Sequence, residues 1–477
     1  MAVAGWNRIP AAAMVAALLA LQRLVGVHAT GAARLYIGHA LSLALCAAVL
    51  VLASSAVGRR AHGRAATARP INAVRVHILL TLLLLLSAFP NETARYMALL
   101  PRRAPTIPLV VVIGFWIALV IRFARRGYSP AWMLVGFVGL TAGTRLLTMS
   151  AQPFHRLDGD MLATIDRSLN ELLAGRFPYL DFPPPMPYLP VSFLAYLPPK
   201  LLGLDLRWTN LIVDAAAVGA TFCLARRLAE RGRPASPDRS PLLNQLLLPC
   251  LMLHPVWVQH GANSQYAPCL FLTMLLGFAV LFENHKAQAV ALGLVVGSNQ
   301  MLAACGPILF AHWLGRVGAR RAAGLAVVSA AVFLAVITPF LLWEPGRFVE
   351  VAFLSRNRFD DALMAGRFTL LPLASRLIPR ADLVGSAMTL AAAAWVVLGS
   401  RRPSTAVAAM AAGLCAALMF QPVSFAHYFL PAVVLASVIP SAPVVVGRQS
   451  LPRGPRLRRA GTVAKARVSS VLSRRLQ

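Results

Sequence analysis

Apolar residues in this chain fall in long unbroken blocks rather than in alternation. Before a central polar interval they occupy 11–27, 35–57, 74–89, 107–121 and 131–149. After it they occupy 206–224, 241–258, 267–282, 287–301, 302–314, 322–342, 383–398, 404–420 and 428–446. Most blocks approach the ~20 residues needed to cross a bilayer as a helix. Absence of a two-residue period predicts helices and excludes a barrel. The expected fold is all-α, a polytopic transmembrane bundle of about 12–14 spans. The pair 287–301 and 302–314 reads as a bent hairpin or as one long helix. The first block is broken by Gln22 and Arg23 and is followed by further spans, so it reads as a weak first span rather than a cleaved signal. Three regions follow: N-terminal spans over 1–130, a main module over 131–446 with polar loops at 151–205 and 343–382, and a basic tail over 447–477.

Composition agrees: 58% of residues are hydrophobic and only 13% charged, with a mean hydropathy of +0.67. A net charge of +30 raises nucleic acid as a partner. The arginines, however, bracket the apolar blocks, which is how membrane orientation is written. Arg59, Arg60, Arg122, Arg226, Arg227, Arg316, Arg320, Arg321, Arg401 and Arg402 share one side if the N-terminus is cytoplasmic. Arg102 and Arg103 fall on the other side. The tail, with Arg448, Arg453, Arg456, Arg458 and Arg459, suits anionic lipid. Both polar loops are then extracytoplasmic and hold most of the acids. Asp214 lies inside a span, where it should pair with a neighbouring helix. The six cysteines show no Cys-x-x-Cys spacing and read as packing residues. Arginine and alanine usage points to a bacterial plasma membrane rather than the ER. The sequon Asn91-Glu-Thr93 matters only in a eukaryotic setting.

The first polar loop runs His155-Arg-Leu-Asp158-Gly-Asp160, then a helical pattern, then Gly175-Arg-Phe-Pro-Tyr179-Leu-Asp181-Phe-Pro-Pro-Pro-Met-Pro-Tyr188. Leu162, Ile165, Leu169, Leu172 and Leu173 form one face, and Asp166, Arg167, Asn170 and Glu171 the other. That pattern predicts an amphipathic helix lying flat on the membrane. Asp160 directly precedes it and suits either an N-cap or an acid–base role. Residues 188–203 are apolar but broken by Pro190, Pro198 and Pro199, and read as an interfacial half-helix.

Asp158-Gly-Asp160, the amphipathic segment, Gly175-Arg-Phe-Pro-Tyr179, Pro184-Pro-Met-Pro-Tyr188 and Leu224-Ala-Arg-Arg227 together resemble the first external loop of the GT-C superfamily. Those are integral-membrane glycosyltransferases that use polyprenyl-phosphate sugars. Gln259-His260-Gly-Ala-Asn-Ser-Gln265-Tyr266 and Ser298-Asn-Gln300-Met301 are similar to elements of the dolichyl-phosphate-glucose glucosyltransferases. The chain departs from them in having Asn299 in place of Lys, in lacking a second histidine, and in placing several spans before the loop. The resemblance implies that Asp160, or else Asp158, acts as base on an acceptor hydroxyl. Tyr179, Asp181, Tyr188 and Gln300 are the substrate-binding candidates that go with it. His260, Gln265, Tyr266 and His427 lie at the external ends of spans and suit either binding of sugar hydroxyls or phosphate, or ordinary interfacial anchoring. Arg347, Arg356, Arg358 and Arg367 are candidates for holding the donor phosphate, with pairing to Glu344, Glu350, Asp360 and Asp361 as the ordinary alternative. No metal ligand set is called, although the two carboxylates leave a divalent cation open. The expected partners are a polyprenyl-phosphate-linked sugar, a glycan or lipid-linked acceptor and membrane lipid, and no nucleic acid. A transporter or flippase and a non-catalytic scaffold of the same fold are the alternatives; ionisable residues in loops and the lack of a repeat speak against the former.

Overall fold

A computed structural model describes residues 130–151, 161–179, 186, 188–231, 266–354, 377–378, 380, 382–398, 403–420 and 430–438. All regular structure among them is helical. In chain order the helices are α1 (Pro130–Ala151), α2 (Met161–Leu173), α3 (Pro190–Leu194), α4 (Leu197–Leu201), α5 (Arg207–Arg231), α6 (Tyr266–Leu281), α7 (His285–Ser298), α8 (Cys305–Val317), α9 (Ala319–Trp343), α10 (Pro345–Val349), α11 (Asp382–Leu398), α12 (Pro403–Met419) and α13 (Leu430–Val438). A 3-10 turn, Gln300–Ala304, joins α7 to α8, and a π turn, Glu350–Leu354, follows α10. The expected spans at 11–27, 35–57, 74–89, 107–121 and 241–258 lie outside the described residues. Among the described helices, α9 alone is long and apolar enough to cross a bilayer unaided. Leu134–Ser150, Tyr266–Leu281, Leu383–Val397 and Pro403–Leu418 are shorter apolar stretches.

The long helices pack into a bundle in which α1 lies on α5, α5 on α6, α6 on α7, α7 on α9, and α8 on α11 and α12. Its interior is built from small and aliphatic side chains, with Ala406, Val407, Ala409, Met410, Ala411, Ala412, Leu414 and Cys415 buried along α12. Glycines set the closest approaches. A Cβ on Gly293 of α7 would lie 2.6 Å from the Ser329 carbonyl of α9. A Cβ on Gly413 of α12 would lie 2.5 Å from Ile308 of α8. Small residues at such crossings let helix backbones approach where lipid removes the hydrophobic drive.

Residues 287–314 form a hairpin rather than one helix. Asn299 ends α7 and starts the 3-10 turn: its N–H donates to the Val295 carbonyl, and its Oδ1 accepts from the Met301 N–H, both at 3.1 Å. The two arms are roughly 20 Å long against roughly 37 Å for α9, by the helical rise. The hairpin apex therefore stops short of the α9 terminus.

The space above the apex is filled by the segment between α1 and α5. Val191 of α3 would meet a Cβ on Gly297 at 3.2 Å, and Ser192 Oγ donates to the Ser298 carbonyl at 2.6 Å. Pro190 is the first residue of α3 and Pro198 the second of α4, within the first turn, where proline costs no helical hydrogen bond. This end of the bundle, hereafter the loop end, carries a second core. It contains Leu162, Ile165 and Leu169 of α2 with Phe177, Tyr179, Met186, Tyr188, Phe193, Ile337, Phe340 and Phe348. The amphipathic α2 thus does not lie with its apolar face on lipid, as its pattern predicts. Leu162, Ile165 and Leu169 are fully buried against protein, because α3 and α4 pack on α2 and the aromatic residues of the layer join the same cluster.

Candidate functional site

The loop end is shaped by the Gly175-Arg-Phe-Pro-Tyr179 turn. Gly175 adopts φ +71, and a Schellman closure ends α2: the Arg176 N–H donates to the Glu171 carbonyl at 2.8 Å and the Gly175 N–H to Leu172 at 3.1 Å. The Arg176 and Glu171 side chains pair across the same two residues, at Nη2–Oε1 3.0 Å among their contacts. That guanidinium holds the Glu171 carboxyl below its ordinary range. The chain is then delivered to Phe177 and Tyr179, both buried.

Tyr179 is the centre of the second core. Its ring meets Phe193, Phe340 and Phe348 edge-on at 5.8, 5.8 and 4.8 Å. Its hydroxyl donates to the Tyr188 carbonyl at 2.9 Å, and burial raises its pKa well above that of a free phenol, so it stays a donor. One bond thus joins the Gly-x-x-Pro-Tyr turn to the Pro-Pro-x-x-Tyr element. Tyr179 and Tyr188 were expected to meet substrate. The structure seats both rings inside the layer, Tyr179 among three edge-on rings.

Gln300 opens the 3-10 turn, and its Nε2 donates to the Ala352 carbonyl at 3.0 Å, tying the hairpin apex to the π turn. Tyr266 starts α6 and is buried in the bundle core. Arg347 lies on α10, about half exposed, with Nη1 3.6 Å from the Glu344 carboxylate. Such an exposed, long pair holds the side chain weakly and leaves the guanidinium available. Asp158, Asp160, Asp181, His260, Gln265, Arg356, Arg358, Arg367 and His427 lie outside the described residues. Among the described residues no group of His, Cys, Asp and Glu has the arrangement of a metal site.

The residue that sequence reasoning missed is Arg145. It lies in α1, fully buried, and its Nε donates to Asp214 Oδ2 of α5 at 2.8 Å, so the expected helix-to-helix partner of Asp214 is an arginine. Its signal was present in the sequence as a charge inside the block 131–149.

A family model described as glycosyltransferase family 87 matches residues 183–422, half of the chain. The chain belongs to glycosyltransferase family 87. The probable dolichyl pyrophosphate Man9GlcNAc2 alpha-1,3-glucosyltransferase of Arabidopsis thaliana is similar to it, with 29% identity over 187 residues, covering 35% of this chain and 34% of that protein. The chain thus matches about a third of that relative's length. No solved structure matches.

Membership in a glycosyltransferase family agrees with the GT-C resemblance of the sequence. The family 87 match takes in the Pro-Pro-x-x-Tyr188 element, Tyr266, Gln300, Arg347 and the three further arginines, and begins after Asp158 and Asp160. In this family 87 chain Asn299 has a structural task, the cap described above.

Proposed function

We propose that this family 87 glycosyltransferase moves a hexose, mannose or glucose, from a polyprenyl-phosphate sugar to a lipid-linked or glycan acceptor at the extracytoplasmic face of a bacterial plasma membrane. The observation that carries the reading is the surface of α9 beside Arg347. Val327, Leu334 and Leu342 are exposed along this helix, an arrangement suited to lipid, and the helix ends one turn from a guanidinium. An apolar wall leading to a cation is what a donor with a long tail and a phosphate requires. The polytopic bundle of about 12–14 spans belongs to the same proposal.

The chemistry follows from the donor. An acceptor hydroxyl attacks the anomeric carbon from the face opposite the phosphate, the new glycosidic bond forms with inversion, and the bond from that carbon to the phosphate oxygen breaks. Asp160, with Asp158 as the alternative, takes the hydroxyl proton. Arg347, with Arg356, Arg358 and Arg367, balances charge on the departing polyprenyl phosphate. Gln300 and the buried tyrosines hold the scaffold that carries these groups.

The test uses purified protein in lipid vesicles with radiolabelled polyprenyl-phosphate-mannose, polyprenyl-phosphate-glucose and the corresponding nucleotide sugars, and a lipid and glycan extract as acceptor. Transfer is expected from a lipid donor alone, reduced in at least one of the four single arginine-to-alanine variants and only partly restored by lysine. Transfer from a nucleotide sugar in the absence of any lipid carrier overturns the reading.

A further inference from the structure

Helices α1 and α5 bracket the loop that holds the proposed acids, and their mutual height sets where both ends of that loop stand. Two polar ties cross the seam between them, and a third, from the segment between α3 and α4, grips α5 at an intermediate height. At the mouth, Arg207 pairs with Asp205 at 2.6 Å and reaches the Met149 carbonyl at 3.3 Å. Below it, the Tyr196 hydroxyl donates to Asn210 Oδ1 at 2.6 Å. Deepest is Arg145 with Asp214, whose side chains are 0% and 2% exposed. Arg145 stands about 9 Å below the end of α1 and Asp214 about 10 Å below the start of α5, by the helical rise. The Arg145 Nη1 also donates to Thr144 Oγ1 at 3.2 Å.

Two charges buried at this depth carry a desolvation cost that an apolar pair of similar volume avoids, so stability alone does not account for them. What the pair adds is direction: its short N–O contact holds only at one axial register of α1 on α5, and sliding either helix breaks it.

We propose that Arg145 and Asp214 are positioning residues that fix the height of α1 against α5, and thereby the placement of the loop between them for glycosyl transfer. The claim rests on the reading above only in taking that loop as the seat of the reaction. Shifting reacting groups by about 1 Å costs on the order of 10²-fold in rate while leaving donor binding elsewhere intact. The pair should therefore govern kcat and leave donor KM unchanged.

The double variant R145M/D214L removes both charges at similar volume. In vesicles, with radiolabelled polyprenyl-phosphate-mannose and -glucose, its kcat should fall on the order of 10²-fold, with donor KM within about twofold and the yield of folded protein unchanged. Spin labels at Ser150 of α1 and the exposed Ile212 of α5 should show a broader distance distribution than in the parent. A parental kcat, or a loss that tracks folded yield alone, overturns the proposal. The variant R145K keeps the charge and loses the planar fork. It should lower kcat severalfold at constant KM, and it decides the question by itself if the double variant does not fold: a parental kcat in R145K overturns the proposal. Asp160→Asn in the parent reports separately. If that variant retains full activity the role of base passes to Asp158, and if Asp158→Asn does so too the assignment of the base fails, while the effect of the ion pair on kcat is still read on its own.

Discussion

The two cores of this molecule are built on opposite principles. The bundle core is alanine-rich, and its tightest contacts are at glycines: Gly293 against the Ser329 carbonyl and Gly413 against the Ile308 side chain. The loop-end core is made of large rings, with Tyr179 surrounded by Phe193, Phe340 and Phe348. Burial of large apolar side chains from water drives the second. Close fit drives the first, where on the proposed reading lipid offers no such gain. The difference teaches that the loop layer is a second, ring-built core seated on the bundle. Activity and bundle stability should then be separable.

Removing the central ring is expected to have the largest effect. Tyr179→Ala should cost about 3–5 kcal/mol of local stability. Hydrogen exchange should show it as lost protection over α2 and α3, with transferase activity abolished and protection of α8 and α12 retained. Tyr179→Phe keeps the ring and removes only the bond to Tyr188, so it should cost about 1 kcal/mol. Equal loss of protection in both cores would break the comparison.

The opposite perturbation targets the bundle. Gly293→Ala forces a methyl against the Ser329 carbonyl and should cost about 1–3 kcal/mol. Thermal melting should shift downward, while kcat per folded molecule stays at the parental value. A selective fall in kcat would mean that the cores are coupled through the α7–α8 hairpin.

Much of the bundle was legible because helix-length apolar blocks leave few alternatives. The blocks at 131–149, 267–282, 322–342, 383–398 and 404–420 match α1, α6, α9, α11 and α12 closely. The loop was legible as a string of motifs but not as a layer. Periodicity showed that α2 has an apolar face, and it could not show that α3, α4 and the aromatic layer cover that face instead of lipid. The chemical nature of Tyr179 suggested a sugar-facing phenol. Its actual partners, Phe340 and Phe348, stand more than a hundred and fifty positions later in the sequence, beyond any local pattern. Asp214 was legible as an anomaly within a span, and its partner Arg145 carried the same signal in the block before the loop.

The measurement that bears most directly on the central claim is the rate of Asp160→Asn with a polyprenyl-phosphate sugar as donor. Asparagine keeps the ability to cap α2 and loses the ability to accept a proton. The account predicts folded, membrane-inserted protein with kcat reduced by about 10²–10⁴-fold and donor KM unchanged. Full activity in Asp160→Asn, with full activity also in Asp158→Asn, would contradict it.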